Sequence, residues 1–163
     1  MSTTVNAAVF AGVEEPPRIE RIALNEPGPG QVRVRLAAAG VCHSDLSLAQ
    51  GVLPQKLPAV LGHEGAGTVE AVGPKVTGLE PGTPVVLNWT PPCRACWYCE
   101  NGEPYLCEHG LDAAQQAHGR LADGTAVYPG LGTAAFAEAT VVPANGVVRM
   151  PEGVDSTTAA LLG

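Results

Sequence analysis

The stretch Cys93-Arg94-Ala95-Cys96-Trp97-Tyr98-Cys99-Glu100-Asn101-Gly102-Glu103-Pro104-Tyr105-Leu106-Cys107 holds four of the chain's five cysteines within fifteen residues. Cysteines two residues apart can turn their sulfurs toward one point. Three at that spacing, with a fourth a short loop later, suit a closed tetrahedral site with metal–sulfur distances of about 2.3 Å. A sulfur-only ligand set favours zinc or an iron–sulfur cluster over magnesium or calcium. The three-plus-one spacing fits neither ferredoxin pattern, so zinc is the expected occupant. A disulfide framework belongs to secreted chains, and nothing from Met1 to Glu20 supports that setting. Residues 89–111 therefore read as a structural zinc lobe.

At 163 residues, with 45% apolar and 15% charged residues, the chain is long and apolar enough for a real core and reads as one globular domain, 1–163. Twenty glycines and 15 prolines are spread along the whole length, as expected for many turns between short strands. The formal charge is −7, and a four-thiolate zinc site adds about two more negative charges. That balance argues against nucleic acid and anionic membrane as partners. The sequence has no apolar run of the length a membrane span needs. Met1 to Glu20 has neither a basic start nor an apolar core of the secretory kind, so the expected compartment is the cytoplasm, where thiols stay reduced.

Taken in order, Val5 to Ala11 is an apolar run that reads as a first strand. Pro16-Pro17 and Pro27-Gly28-Pro29-Gly30 break the pattern. From Gln31, Val32, Val34 and Leu36 alternate with Arg33 and Arg35, the period of a half-buried strand. Ser44 and Asp45 then open a helix toward Gln50, closed by Gly51, which puts Cys42 to Ser44 at a strand-to-helix junction. Gly62-His63-Glu64-Gly65-Ala66-Gly67-Thr68-Val69-Glu70-Ala71-Val72-Gly73 reads as a glycine-softened strand whose backbone approaches something closely. Val85 to Asn88, Phe136 to Val142 and Val147 to Met150 are later strands, and Asp155 caps a helix over Ser156 to Leu162. Asp112 to Asp123 reads as a surface loop or short helix, with His109 and His118 as surface residues. The sum is a predominantly β, barrel-like domain with a few short helices. It has no glycine-rich strand–turn–helix fingerprint for a dinucleotide, so no Rossmann unit is expected in this chain.

One cysteine, Cys42, stands outside the lobe, and His63-Glu64 follows twenty-one residues later. With Gly40-Val41-Cys42-His43-Ser44-Asp45, the run from Gly62 through Gly73 to Val76, the four-cysteine lobe and Leu131-Gly132-Thr133-Ala134-Ala135-Phe136-Ala137-Glu138, the sequence resembles the catalytic, GroES-like domain of the zinc-dependent medium-chain alcohol dehydrogenases. The similarity covers essentially the whole chain.

The resemblance implies a role for each matching position. Cys42 and His63 match two catalytic zinc ligands, and Glu64 the acid beside the metal that approaches it when water or product exchanges. Asp45 matches the carboxylate that orients the zinc-binding imidazole. Ser44 matches the hydroxyl that takes the alcohol proton, and His43 the position that contacts the cofactor pyrophosphate. Leu53, Trp89 and Phe136 match positions lining the substrate pocket. The implied activity is reversible oxidation of a primary alcohol to its aldehyde, with hydride passing to NAD or NADP held by a separate domain. Zinc would act as a Lewis acid on the substrate oxygen. A formaldehyde (thiol-adduct) dehydrogenase of the same superfamily and a zinc-binding structural fragment without turnover are the alternatives. A homodimer or homotetramer is implied for the full-length protein.

The pattern departs from the family in three respects. Ser47 stands where many members place a histidine that ends the proton relay. The cofactor-binding domain and a further cysteine ligand, which follows a segment like Ala160-Leu161-Leu162-Gly163 in the family, lie outside these residues. The expectation is an N-terminal catalytic domain of a longer dehydrogenase that keeps its structural zinc but shows little turnover alone.

Overall fold

The computed structural model describes residues 3–162, so Met1, Ser2 and Gly163 lie outside the described residues. Along the chain run β1 (Thr4–Phe10), β2 (Arg18–Leu24), β3 (Gln31–Gly40), α1 (His43–Ala49), β4 (Ala59–Val60), β5 (Glu64–Val72), β6 (Pro84–Leu87), α2 (Trp97–Glu100), β7 (Gly119–Arg120), β8 (Ala126–Pro129), β9 (Ala139–Pro143), β10 (Val147–Arg149) and α3 (Ser156–Ala160). The strands make two units. One is a closed barrel, β1-β2-β7-β8-β4, and the other a five-stranded sheet in the order β10-β6-β5-β3-β9. Among the described residues the architecture is mainly β with three short α-helices, as the turn-rich sequence implied.

The period-two alternation in β3 works as expected. Val32 and Val34 are fully buried, and with Val69, Val85, Leu87 and Val142 they form the core of the five-stranded sheet. Fully burying a side chain of this size contributes roughly 1.5–3 kcal/mol. The intervening Arg33 and Arg35 turn to the other face and both bind Glu70 on β5, at 2.7 and 3.0 Å through their Nε atoms. Partial burial alone would raise the Glu70 carboxyl; the hydrogen bonds from Arg35 and Arg33 outweigh it and hold the group below the usual carboxylate range. Val5, Val9, Ile22, Leu24, Val60 and Val127 fill the barrel.

The two units are joined where the chain between β8 and β9 reaches β1. Ala8 donates to the Phe136 carbonyl at 2.9 Å, and Leu36 on β3 to the Glu138 carbonyl at 2.9 Å. α3 is capped as expected, Asp155 accepting from the Thr157 and Thr158 amides, and it lays Ala159 and Ala160 on Ala66 of β5. Its regular part ends at Ala160, two residues before the expected limit.

Several elements differ from the sequence-based expectation. β2 lies in a segment with no clear alternation, because its first four residues are exposed and only Ile22 and Leu24 are fully buried. β4, β7 and β8 are two to four residues long, and their pairing comes from barrel closure rather than local pattern. The strand expected to begin at Phe136 begins at Ala139. His118, expected at the surface, is 5% exposed and packed inside the barrel wall just before β7. Its Nδ1 donates to the Val127 carbonyl at 3.2 Å, and its Nε2 is buried without a partner.

Burial pushes the His118 imidazole down to about 4, against an ordinary value of 6.5. The unfolded chain therefore binds a proton at this side chain between those two values, and the folded chain does not. Stability is unaffected above pH 6.5 and falls as pH drops toward 4, by about 3 kcal/mol from this one group. Replacing His118 with Asn, which keeps a donor for Val127 but does not titrate, is expected to flatten that part of the stability–pH curve in urea unfolding at pH 4.5 and 7.5.

Candidate metal centres

The four lobe cysteines come together through local backbone geometry. Arg94, at φ 61°, takes the left-handed turn that brings Cys96 back beside Cys93. Cys96 then stands at the start of α2, and Cys99 lies within it. The Cys93 sulfur accepts from the Ala95 and Cys96 amides at 3.4 and 3.2 Å, and the Cys107 sulfur from the Cys93 and His109 amides at 3.2 and 3.4 Å. Sulfurs surrounded by N–H donors favour the thiolate. The Cys96 thiol is drawn down to about 6, first by the backbone amides of Cys99 and Glu108. Cys99 is pushed up to about 11 by loss of solvent and by the neighbouring sulfurs. Four sulfurs this close cannot all ionise without a cation among them.

The spacing fits that cation. Cys93 and Cys99 sulfurs lie 4.0 Å apart, and Cys96 and Cys107 sulfurs 3.9 Å apart. A regular tetrahedron with metal–sulfur distances of about 2.3 Å has edges of about 3.8 Å, far longer than a disulfide bond of about 2.05 Å. All five cysteines are free thiols. His109 lies outside the sulfur set, exposed and bonded to Asp112 at 2.9 Å.

The second cluster forms at one end of the β3–β5 ladder, where Gly40 pairs with Glu64. Beyond Gly40 the chain turns through Val41 and Cys42 into α1; immediately before Glu64 lies His63. The antiparallel register therefore delivers Cys42, His63 and Glu64 to one place, with their ligand atoms all within 4.8 Å of one another. Gly40 leaves room there for the Glu64 carboxylate, which a Cβ on it would push aside. Cys42 caps α1, so the helix begins one residue earlier than expected.

Asp45 ties the pieces together. It is 4% exposed; its Oδ2 accepts from the Cys42 amide at 3.1 Å. Its Oδ1 accepts from the Gly62 amide at 2.9 Å and from His63 Nδ1 at 3.2 Å. Engaging Nδ1 leaves Nε2 as the lone-pair nitrogen that an imidazole offers to a metal. One thiol, one oriented imidazole and one half-buried carboxylate form a donor set that suits zinc and leaves room for a further ligand.

Of the remaining residues singled out in the sequence, Ser44 and Trp89 touch members of this cluster, and the others lie on neighbouring segments. The Ser44 hydroxyl lies 3.7 Å from the Cys42 sulfur. His43 is exposed on the first turn of α1, and the Ser47 hydroxyl lies 3.4 Å from its Nδ1. Trp89 is half-buried, with its ring edge-on to His63 at 6.0 Å between centroids. The half-buried Phe136 ring packs where a Cβ on Gly62 would otherwise sit, and Gly62 itself has φ +90°. Leu53 is 40% exposed on the loop after α1, and its amide bonds the Ser47 carbonyl at 3.1 Å. The contribution of Gly62 and of the strap that holds it, residues 130–136, had no signal in the sequence beyond the resemblance.

Comparison with known proteins bears on the family and the fold. The family model for the alcohol dehydrogenase GroES-like domain matches residues 28–152. A putative alcohol dehydrogenase D from Mycobacterium tuberculosis is 39% identical over 171 residues, covering 100% of this chain and 45% of that protein. A putative S-(hydroxymethyl)glutathione dehydrogenase 2 from Schizosaccharomyces pombe is 36% identical, covering 96% of this chain and 43% of its own length. The crystal structure of an alcohol dehydrogenase zinc-binding domain protein from Burkholderia ambifaria superposes with a TM-score of 0.88 at 34% identity, over 96% of this chain and 44% of that one. The chain belongs to the alcohol dehydrogenase GroES-like family and carries the fold of its zinc-dependent members. It spans under half the length of these relatives.

Cys99→Ser is expected to lower bound zinc by one equivalent per chain, measured by elemental analysis of protein purified without added metal. Cys42→Ser is expected to leave that equivalent in place.

Proposed function

We propose that this chain is the N-terminal catalytic domain of a longer zinc-dependent dehydrogenase that oxidises a primary alcohol to its aldehyde, reversibly, with hydride passing to NAD or NADP bound by another domain. The observation that carries the reading is the convergence of Cys42, His63 and Glu64, with Asp45 behind the imidazole and the Ser44 hydroxyl beside the sulfur. Cys42, His63 and Glu64 would hold zinc, which supplies Lewis acidity that makes an alcohol's hydroxyl proton easier to lose.

Around that centre the protein's own groups bind, orient and move the proton. Ser44 Oγ accepts the hydroxyl proton and passes it to solvent. Asp45 keeps the His63 ring in the tautomer that presents Nε2. Glu64, half-buried beside Cys42 and His63, would supply the carboxylate of the set, and its side chain is the one that could yield a place to an incoming ligand. His43, exposed on the first turn of α1, is a basic contact for the cofactor pyrophosphate, and its contact with Ser47 continues the proton path that a histidine would otherwise end. Trp89, Phe136 and Leu53 form the apolar wall against which the substrate carbon chain packs. The four-cysteine lobe holds a structural zinc. The partners are small alcohols or aldehydes, with neither nucleic acid nor membrane involved; the full-length protein is a homodimer or homotetramer and works in the cytoplasm. Among the described residues no helix is long and apolar enough to cross a membrane.

The similarity to a protein named S-(hydroxymethyl)glutathione dehydrogenase supports a second reading, in which the alcohol is a thiol adduct of formaldehyde. Assaying S-(hydroxymethyl)glutathione beside free primary alcohols separates the two by relative kcat/KM.

In the longer protein, Ser44→Ala is expected to lower kcat about 10²–10³-fold and to flatten its pH profile, with zinc content unchanged. Failure of that protein to oxidise any primary alcohol or thiol adduct would overturn the dehydrogenase reading. The 163-residue chain alone is expected to produce no NADH; turnover by it would refute the placement of the cofactor on another domain.

A further inference from the structure

Residues 130–136 cross behind the His63 loop in a conformation that no sequence pattern demands. Leu131, Gly132 and Ala134 all have positive φ, at 48°, 81° and 54°, and two of the three are not glycine. Such a cluster persists only where surrounding contacts over-determine it.

Two of the contacts that hold it end on the Gly62 carbonyl, and a third, from the Phe136 amide, ends on the Leu61 carbonyl at 2.9 Å. The Gly62 carbonyl accepts from the Thr133 hydroxyl at 2.9 Å and from the Ala135 amide at 2.8 Å. The Thr133 carbonyl in turn accepts from the Thr140 hydroxyl at 2.6 Å. Both threonines are buried, at 2% and 0% exposure. The Thr133 hydroxyl also lies 3.3 Å from the Gly130 carbonyl, but it has a single proton, and the shorter contact is to Gly62. On the other side of the loop, the Gly62 amide is held by Asp45 at 2.9 Å.

The Gly62 carbonyl belongs to the peptide plane that leads into His63, so fixing it fixes the direction from which the His63 Cα leaves that plane. We propose that Thr133 is a positioning residue for His63: by donating its hydroxyl to the Gly62 carbonyl it orients the imidazole toward Cys42 and Glu64. A valine would fill the same space and remove one of the two donors to the Gly62 carbonyl, leaving it held by the Ala135 amide alone and less tightly oriented. A serine would retain the hydroxyl. The inference rests on the reading of Cys42, His63 and Glu64 as a metal site, and its test separates the two.

The chain is first loaded with one equivalent of zinc to fill the four-cysteine lobe. It is then titrated with Co²⁺, following the thiolate-to-cobalt charge-transfer absorption that Cys42→Ser is expected to abolish. Thr133→Val is expected to weaken Co²⁺ binding about tenfold, the low end of the effect of removing a group that supports a metal ligand. Thr133→Ser is expected to bind like the parent. Equal affinity in Thr133→Val, or an equal loss in Thr133→Ser, would overturn the proposal, because a purely structural threonine changes melting temperature without that split.

Amide hydrogen exchange in the metal-free chain supplies a second readout. Gly62 and His63 are expected to exchange faster in Thr133→Val while Val32 and Val34 in the sheet core do not change. Unaltered exchange at Gly62 refutes the positioning role. If the parent chain takes up no cobalt beyond the lobe, the metal reading fails and exchange alone decides the inference. If Thr133→Val does not fold, Thr140→Val carries the same measurements: it removes the donor to the Thr133 carbonyl, with a smaller loss expected in each and no change in either refuting the proposal.

Discussion

One buried carboxylate holds the functional end of this domain together. Asp45 accepts from the amides of Cys42 and Gly62 and from the ring of His63, three donors contributed by two loops that are adjacent in space but not in sequence. A carboxylate removed from water is costly unless its lone pairs are satisfied, and here they are satisfied by the groups that must be fixed. The start of α1 and the start of β5 therefore cannot move apart without exposing or orphaning that side chain. Strand register does the rest. Because Gly40 pairs with Glu64 at the end of the β3–β5 ladder, both loops emerge on the same side of the sheet.

The lobe achieves its geometry by different means. Its ligands lie on one short stretch, and its shape comes from a left-handed turn at Arg94, a four-residue helix and amides pointing at sulfur. It borrows little from the barrel. The second cluster borrows nearly everything: its imidazole depends on a helix before it in the chain and on a strap about seventy residues after it.

This difference explains what could be read in advance. The lobe was legible because cysteine spacing is itself the geometry. α3 and its Asp155 cap, and the alternation of Val32 and Val34 against Arg33 and Arg35 in β3, were legible because each is a local rule with a local cause. β2 was not, because Arg18 to Arg21 all face solvent and the strand's identity comes from pairing with β1. β4, β7 and β8 were hidden for a stronger reason, since two to four residues carry no periodicity and only closure of the barrel defines them. His118 was misplaced on the same account: its burial is decided by β2 and β8, not by its neighbours in sequence. Cys42, Ser44, Asp45 and His63 were identified through resemblance; that Asp45 also holds the Cys42 and Gly62 amides emerges only in three dimensions.

The unequal reach of the two clusters has a kinetic consequence. Closing a short loop is fast and costs little chain entropy, whereas bringing residue 133 to residue 62 requires the barrel and sheet to be largely assembled. The four sulfurs of the lobe can thus be gathered while the rest of the chain is still unfolded. The cluster at Cys42 comes into existence only with the finished fold. On the metal reading proposed above, scarcity of the ion during synthesis would fall unequally on the two: the scaffold would be supplied first, and vacancies would accumulate at Cys42.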